Sequence, residues 1–100
     1  DWFYVKDCAK MIRGVLEVGD MNSVYNLTHN NEMTNIELIK KILLTIGMDY
    51  ESNIKFIDDR LGHDKRYSID ASKIANILDL SPTSFDLALR ETIGFYYEEK

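Results

Sequence analysis

Apolar residues recur along this chain at helical steps. Cys8, Met11, Ile12, Val15 and Leu16 follow Asp7 at three- and four-residue intervals. That spacing predicts one face of a helix with Asp7 as its N-cap and Gly19 as its end. Ile36, Ile39, Leu43 and Ile46 repeat the pattern, with Lys40 and Lys41 outside and Gly47 as the stop. Thr34-Asn35-Ile36-Glu37 gives this second helix the spacing of a capping box, in which threonine and glutamate each satisfy a free amide of the first turn. A third helix is expected after Asp70, carrying Ala71, Ile74, Ala75 and Leu78. A fourth should start at Thr83 or Ser84, beyond Pro82, with Phe85, Ala88, Leu89, Thr92, Phe95 and Tyr96 on one side.

Short runs of strand-forming residues lie between these helices: Trp2 to Val5, Val24 to Leu27, Ile54 to Ile57, and Arg66 to Ile69. The polar stretches Thr28 to Asn35 and Asp58 to Asp64 read as loops. Strands alternating with helices predict an α/β fold, rich in helix and paired in parallel. Three or four short strands are too few for a parallel sheet covered on both faces. The run around Tyr25 would need neighbours this chain does not supply, and its unpaired edge predicts self-association. The chain opens Asp1-Trp2-Phe3-Tyr4, placing buried-type aromatics where termini are usually polar. The expectation is a segment of a longer chain.

Composition narrows the classes. Of the 100 residues, 45% are hydrophobic and 29% charged, which argues against disorder. A net charge of -5 disfavours nucleic acid as a partner, because phosphate neutralisation needs a basic face. Any bound anion must be held by a local cluster. One cysteine, Cys8, excludes an internal disulfide and fits a reducing compartment. With only His29 and His63 beside it, no metal-ligand spacing exists. No apolar run approaches the roughly 20 residues of a membrane helix, so no membrane partner is expected.

The densest candidate chemistry is Arg60-Leu61-Gly62-His63-Asp64-Lys65-Arg66, four potentially cationic side chains within an acidic protein. Arginine offers a planar fork that matches a pair of phosphate oxygens. Gly62 permits close backbone approach, and His63 can donate to phosphate. These are the parts of a diphosphate cradle. The same residues also suit a solvated loop whose charges pair with Asp58, Asp59 and Asp64. Asn35 sits at a helix N-terminus, where free amides and the dipole favour an anion, although asparagine there is commonly structural. Tyr96 and Lys100 have a tyrosine-x-x-x-lysine spacing known from dehydrogenases, but they fall at the chain end, and Tyr96 belongs to an apolar stripe. No catalytic residue is assigned. Gly14, Gly19, Gly47, Gly62 and Gly94 are too far apart for a dinucleotide-binding turn.

Taken together, Asp1 to Asp7, Tyr25-Asn26-Leu27, Asn31-Glu32 and Arg60 to Asp70 resemble the carboxy-terminal part of the dTDP-glucose 4,6-dehydratase family, which are extended short-chain dehydrogenases/reductases. The opening segment is shared with nucleotide-sugar epimerases. Gly62-His63-Asp64-Lys65-Arg66-Tyr67 with Ile69-Asp70 is closer to the dehydratases. The resemblance implies that residues 1–28 end a nucleotide-binding, Rossmann-type domain, contributing its last strand and helix. It implies that residues 29–100 form a substrate-binding domain, mainly helical. Asn35, Arg60 and His63 would contact the nucleoside diphosphate of a sugar nucleotide, with Tyr67 beside them.

NAD would be the cofactor, bound by an amino-terminal part outside this chain. It would take a hydride from sugar C4, water would leave across C5 and C6, and the hydride would return to C6. The chain by itself would be inactive. The rest of the parent enzyme would be its partner, in a cytoplasmic homodimer. A related epimerase or decarboxylase, or a non-catalytic partner-binding module, are the alternatives. The sequence departs from the family at Leu61, where the family has proline, and at Thr28 and His29, where it has paired glycines.

Overall fold

The computed structural model describes residues 1–98. Its elements are α1 (Val5–Val18), α2 (Asn35–Thr45), α3 (Tyr50–Asn53), α4 (Ser72–Ala75) and α5 (Phe85–Glu98). Among the described residues no strand forms. The chain is helical, which overturns the expected α/β class and the strand of a Rossmann-type sheet.

The reason is visible in the strand-forming runs. β-propensity is a weak preference that only a neighbouring strand converts into a ladder. Here the first two runs are engaged otherwise. Val5 opens α1, and the Trp2 amide donates to the Asn31 carbonyl at 3.0 Å. Around Tyr25 the polar groups pair with side chains. The Val24 carbonyl accepts from Lys73 Nζ (2.9 Å), Asn26 Nδ2 donates to the Asp70 carbonyl (3.0 Å), and the Tyr25 hydroxyl accepts from the Asp20 amide (2.9 Å).

The residues fall into two compact units, one of Asp1–Glu32 with the chain from Ser68 onward, the other Met33–Tyr67. The first holds α1, α4 and α5. Its core is Met11, Ala71 and Ile74, with Phe3, Val15, Tyr25, Leu27, Ile77, Leu78 and Leu80 packed around them. α1 is rotated from the expected stripe. It buries Asp7 and Met11, whereas Leu16 is 83% exposed. Asp7 is not the N-cap either, since Tyr4 holds that position and Asp7 stands in the first turn. The rotation is fixed by Gly14, where a Cβ would lie 2.5 Å from Leu78 Cδ1, so only glycine admits that side chain against α1.

α4 is a single turn, introduced by Asp70, whose carboxylate accepts from the Ser72 amide (2.8 Å) and hydroxyl (3.0 Å). α5 starts as expected, with the Ala88 amide donating to the Ser84 carbonyl at 3.0 Å. It buries Ala88 but leaves Phe95 and Tyr96 exposed, so the expected stripe ends early. Glu91 on α5 accepts from the Tyr4 hydroxyl (2.5 Å) and from Lys6 Nζ (2.8 Å), tying the entry of α1 to α5.

The second unit contains α2 and α3. The capping box of α2 is present: the Glu37 amide donates to Thr34 Oγ1 at 3.3 Å, and the Thr34 amide donates to Glu37 Oε2 at 2.7 Å. At the other end Gly47 is left-handed, with φ +71. The Met48 amide then reaches the Leu43 carbonyl (2.9 Å) and the Gly47 amide the Leu44 carbonyl (3.3 Å), the paired bonds of a Schellman ending. α3 had no counterpart in the sequence reading. Asp49 caps it by accepting from the Ser52 amide at 2.8 Å, and Lys40 of α2 lies over the Tyr50 ring at 4.8 Å.

Candidate functional site

After α3 the second unit runs without regular structure to Tyr67, and this segment carries most of the candidate chemistry. Its centre is a turn from Asp59 to His63. Gly62 takes φ +73, a left-handed conformation open to glycine at little cost. The His63 amide closes the turn on the Arg60 carbonyl at 3.3 Å. One carboxylate oxygen organises the outside of it. Asp59 Oδ1 accepts from the Arg60 amide at 2.9 Å and lies 2.7 Å from His63 Nδ1. A carboxylate only accepts, so Nδ1 carries the hydrogen in this contact and Nε2 is the ring atom left over.

A second small cluster follows. The Tyr67 phenol is held above its usual titration range, first by the charge of Asp64 and by burial, then by donating a hydrogen bond to Asp64. A hydrogen bond from Arg60 pulls the other way. Arg60 therefore touches Tyr67, and Tyr67 touches Asp64. Among the expected residues the structure thus brings together Arg60, His63 and Tyr67, linked by Asp59 and Asp64. Arg60 and Tyr67 are exposed and His63 is partly buried.

Asn35 belongs to a different device. It is the first residue of α2, exposed, just inside the Thr34–Glu37 capping box. Its side chain makes no hydrogen bond to Arg60, His63 or Tyr67 among the described residues. The amide of Glu37 is already taken by Thr34.

Chemically, the turn offers a guanidinium, an imidazole edge and a backbone kept close by glycine. Such a set has the donors that gripping an anion requires. Of the three nearby aspartates, Asp59 pairs with His63, as the solvated-loop reading had allowed, and Asp64 accepts from the Tyr67 phenol. Among the described residues no group of three His, Cys, Asp or Glu is arranged to hold a metal ion. Lys100, half of the Tyr96–Lys100 spacing, lies outside the described residues. No helix among the described residues is long and apolar enough to cross a membrane.

Sequence reasoning missed Asp59 and Asp64 as organisers of the turn. The spacing Asp59-x-x-x-His63 was the available signal, but it is common in loops. It also missed a buried polar cluster in the first unit. Asp7, 3% exposed, accepts from the Thr83 amide (2.9 Å), the Thr83 hydroxyl (3.0 Å) and Lys10 Nζ (3.1 Å). His29 Nε2 lies 3.5 Å from Asp7, with the Phe3 ring edge-on to the imidazole at 5.0 Å. Thr28 beside it is buried; its hydroxyl donates to the Asp1 carboxylate and accepts from the Asn30 amide. Thr28 and His29 thus use their side chains for packing and hydrogen bonds where glycines would offer none.

No protein-family model matches the chain. Curated relatives do. A dTDP-glucose 4,6-dehydratase of Neisseria gonorrhoeae is 35% identical over 111 residues, covering 100% of this chain and 32% of the relative. One of Xanthomonas campestris pv. campestris is 36% identical, covering 96% of this chain and 30% of the relative. A low-salt glycan biosynthesis protein of Haloferax volcanii is 38% identical, covering 96% of this chain and 31% of the relative. The chain spans about a third of the length of the curated relatives it matches.

Proposed function

Because the whole chain is related in sequence to part of the dTDP-glucose 4,6-dehydratases, we propose that it is the part of such an enzyme that grips the diphosphate of a sugar nucleotide. Arg60 is the main anchor, through its guanidinium fork. His63 adds a hydrogen bond through Nε2, Tyr67 supports Arg60 from the side, and Asn35 serves at the amino-terminal end of α2. Residues 1–28 belong to the nucleotide-binding part and residues 29–100 to the substrate-binding part. Remote grip of this kind holds the reacting sugar in register with chemistry performed elsewhere. The same proposal makes the enzyme a cytoplasmic homodimer.

The observation that carries this reading is the Asp59–His63 turn, with Arg60 and His63 on one left-handed loop at Gly62. NAD belongs to the proposal as the cofactor of the relatives' reaction, held outside this chain. The residues here do not fit it. Gly14 is filled against Leu78, Gly19 ends α1, and Gly47 ends α2, so none opens a phosphate-binding turn. No catalytic step is assigned to this chain.

The test is titration calorimetry of dTDP-glucose into the protein. Arg60→Ala should weaken binding by about 1.5–3 kcal/mol, the worth of a charged hydrogen bond. The local pairing of Asp59 and Asp64 favours a second reading, a solvated loop in a non-catalytic partner-binding module. Equal affinity in the wild type and Arg60→Ala would select it.

A further inference from the structure

We infer that Asp59 is a positioning residue for this turn, holding the His63 ring by its Nδ1–H so that Nε2 faces the ligand. The inference rests on the diphosphate reading and deepens it. Asp59 Oδ1 does two things with one atom. It accepts from the Arg60 amide at 2.9 Å, which fixes the backbone from which the guanidinium projects. It also lies 2.7 Å from His63 Nδ1, and because an ionised carboxylate has no hydrogen to give, Nδ1 must be the donor.

The consequence is chemical as well as geometric. With Nδ1–H engaged, the ring presents Nε2 as an acceptor when neutral and as a donor when protonated. A diphosphate diester has only acceptor oxygens, so it selects the protonated ring. An ordinary aspartate turn would order the backbone but would leave the imidazole free to choose either nitrogen. The 2.7 Å contact is what separates the two cases. Leu61, fully exposed between them, contributes no such constraint.

The experiment is nitrogen-15 NMR of the imidazole in the full chain, combined with calorimetric titration of dTDP-glucose. In the wild type above the titration range the ring should show the Nδ1–H signature. Asp59→Asn, whose amide oxygen still accepts, should retain it, and Asp59→Ala should move the ring to Nε2–H. Nucleotide affinity should fall about tenfold in Asp59→Ala. In the His63→Ala background the same change should add only the smaller loss due to the Arg60 amide. An Nε2–H ring in the wild type, or an unchanged tautomer in Asp59→Ala, overturns the inference whatever binds. An Nδ1–H ring in a wild-type chain that binds no nucleotide overturns the diphosphate reading and leaves the hold of Asp59 on the ring standing.

Discussion

The carboxylate of Asp7, buried on α1, takes both the amide and the hydroxyl of Thr83, 76 residues further along the chain. This pairing joins α1 to the residues that lead into α5. It gives a buried charge three donors, counting Lys10. Burial alone would push the Asp7 carboxyl up, but the Thr83 amide, Lys10 and the Thr83 hydroxyl outweigh it and hold the group below its usual range.

Asp7→Ala should therefore be among the most damaging single changes in the first unit. It leaves the Thr83 amide without its acceptor in a buried setting and opens space beside Met11. A loss of about 2–3 kcal/mol is expected, read from the midpoint of urea unfolding. A loss below about 0.5 kcal/mol would contradict the role given to this carboxylate.

The same group fixes the sign of acid sensitivity. A carboxyl whose folded titration lies below its unfolded value contributes stability above the unfolded value, about pH 3.9, and loses it as pH falls through the folded one. Lys10 and His29 are the other titratable groups that face Asp7. Thermal midpoints should drop below about pH 4, and Asp7→Asn should show a shallower drop than the wild type. Parallel curves for the two proteins would assign acid sensitivity to the exposed carboxylates Glu37, Asp49, Asp70, Asp79 and Glu91, which are also lowered.

Gly14 gives a packing prediction in which two effects compete. Alanine would gain about 1 kcal/mol of helix propensity over glycine. It would also drive a Cβ to 2.5 Å from Leu78 Cδ1, and overpacking of that kind costs about 1–3 kcal/mol. Gly14→Ala should be net destabilising by calorimetry. Adding Leu78→Ala should recover part of the packing penalty, and strictly additive effects would show that the two residues do not press on each other.

How much of this was legible in advance depends on the range of the interaction. Thr34, Glu37 and Gly47 act within one helix, so their spacing identified α2 and both of its ends. Gly62 likewise marked a real turn. The α1 stripe was right at Met11 and Val15 but took Ile12 and Leu16 for core, because they have the same period as Asp7, Met11, Gly14 and Val15. Choosing between them required knowing that Leu78 packs against Gly14. The strands failed for the reason that a strand depends on its neighbour: Val24 to Leu27 has the right residues, but its partners are Lys73 and Asp70, far along the chain. In the candidate site, Arg60 and His63 were singled out by residue type and Tyr67 by the resemblance. Asp59 and Asp64 were not, since an aspartate beside cations looks the same whether it organises them or merely neutralises them.

The capping box supplies a test that stays within one element. Thr34→Ala removes the acceptor for the Glu37 amide and should lower stability by about 1 kcal/mol, with a matching loss of circular dichroism at 222 nm on mild heating. Glu37→Gln should cost less, because its amide oxygen can still accept from the Thr34 amide. Equal losses from the two changes would mean that the charge of Glu37, not the reciprocal pairing, does the stabilising.

The Thr34–Glu37 box at one end of α2 and the Gly47 turn at the other satisfy part of the amides and carbonyls from which helices ordinarily fray. Deuterium should consequently enter α2 through opening of the whole segment, so that its interior amides exchange at a common rate instead of in a gradient from the ends.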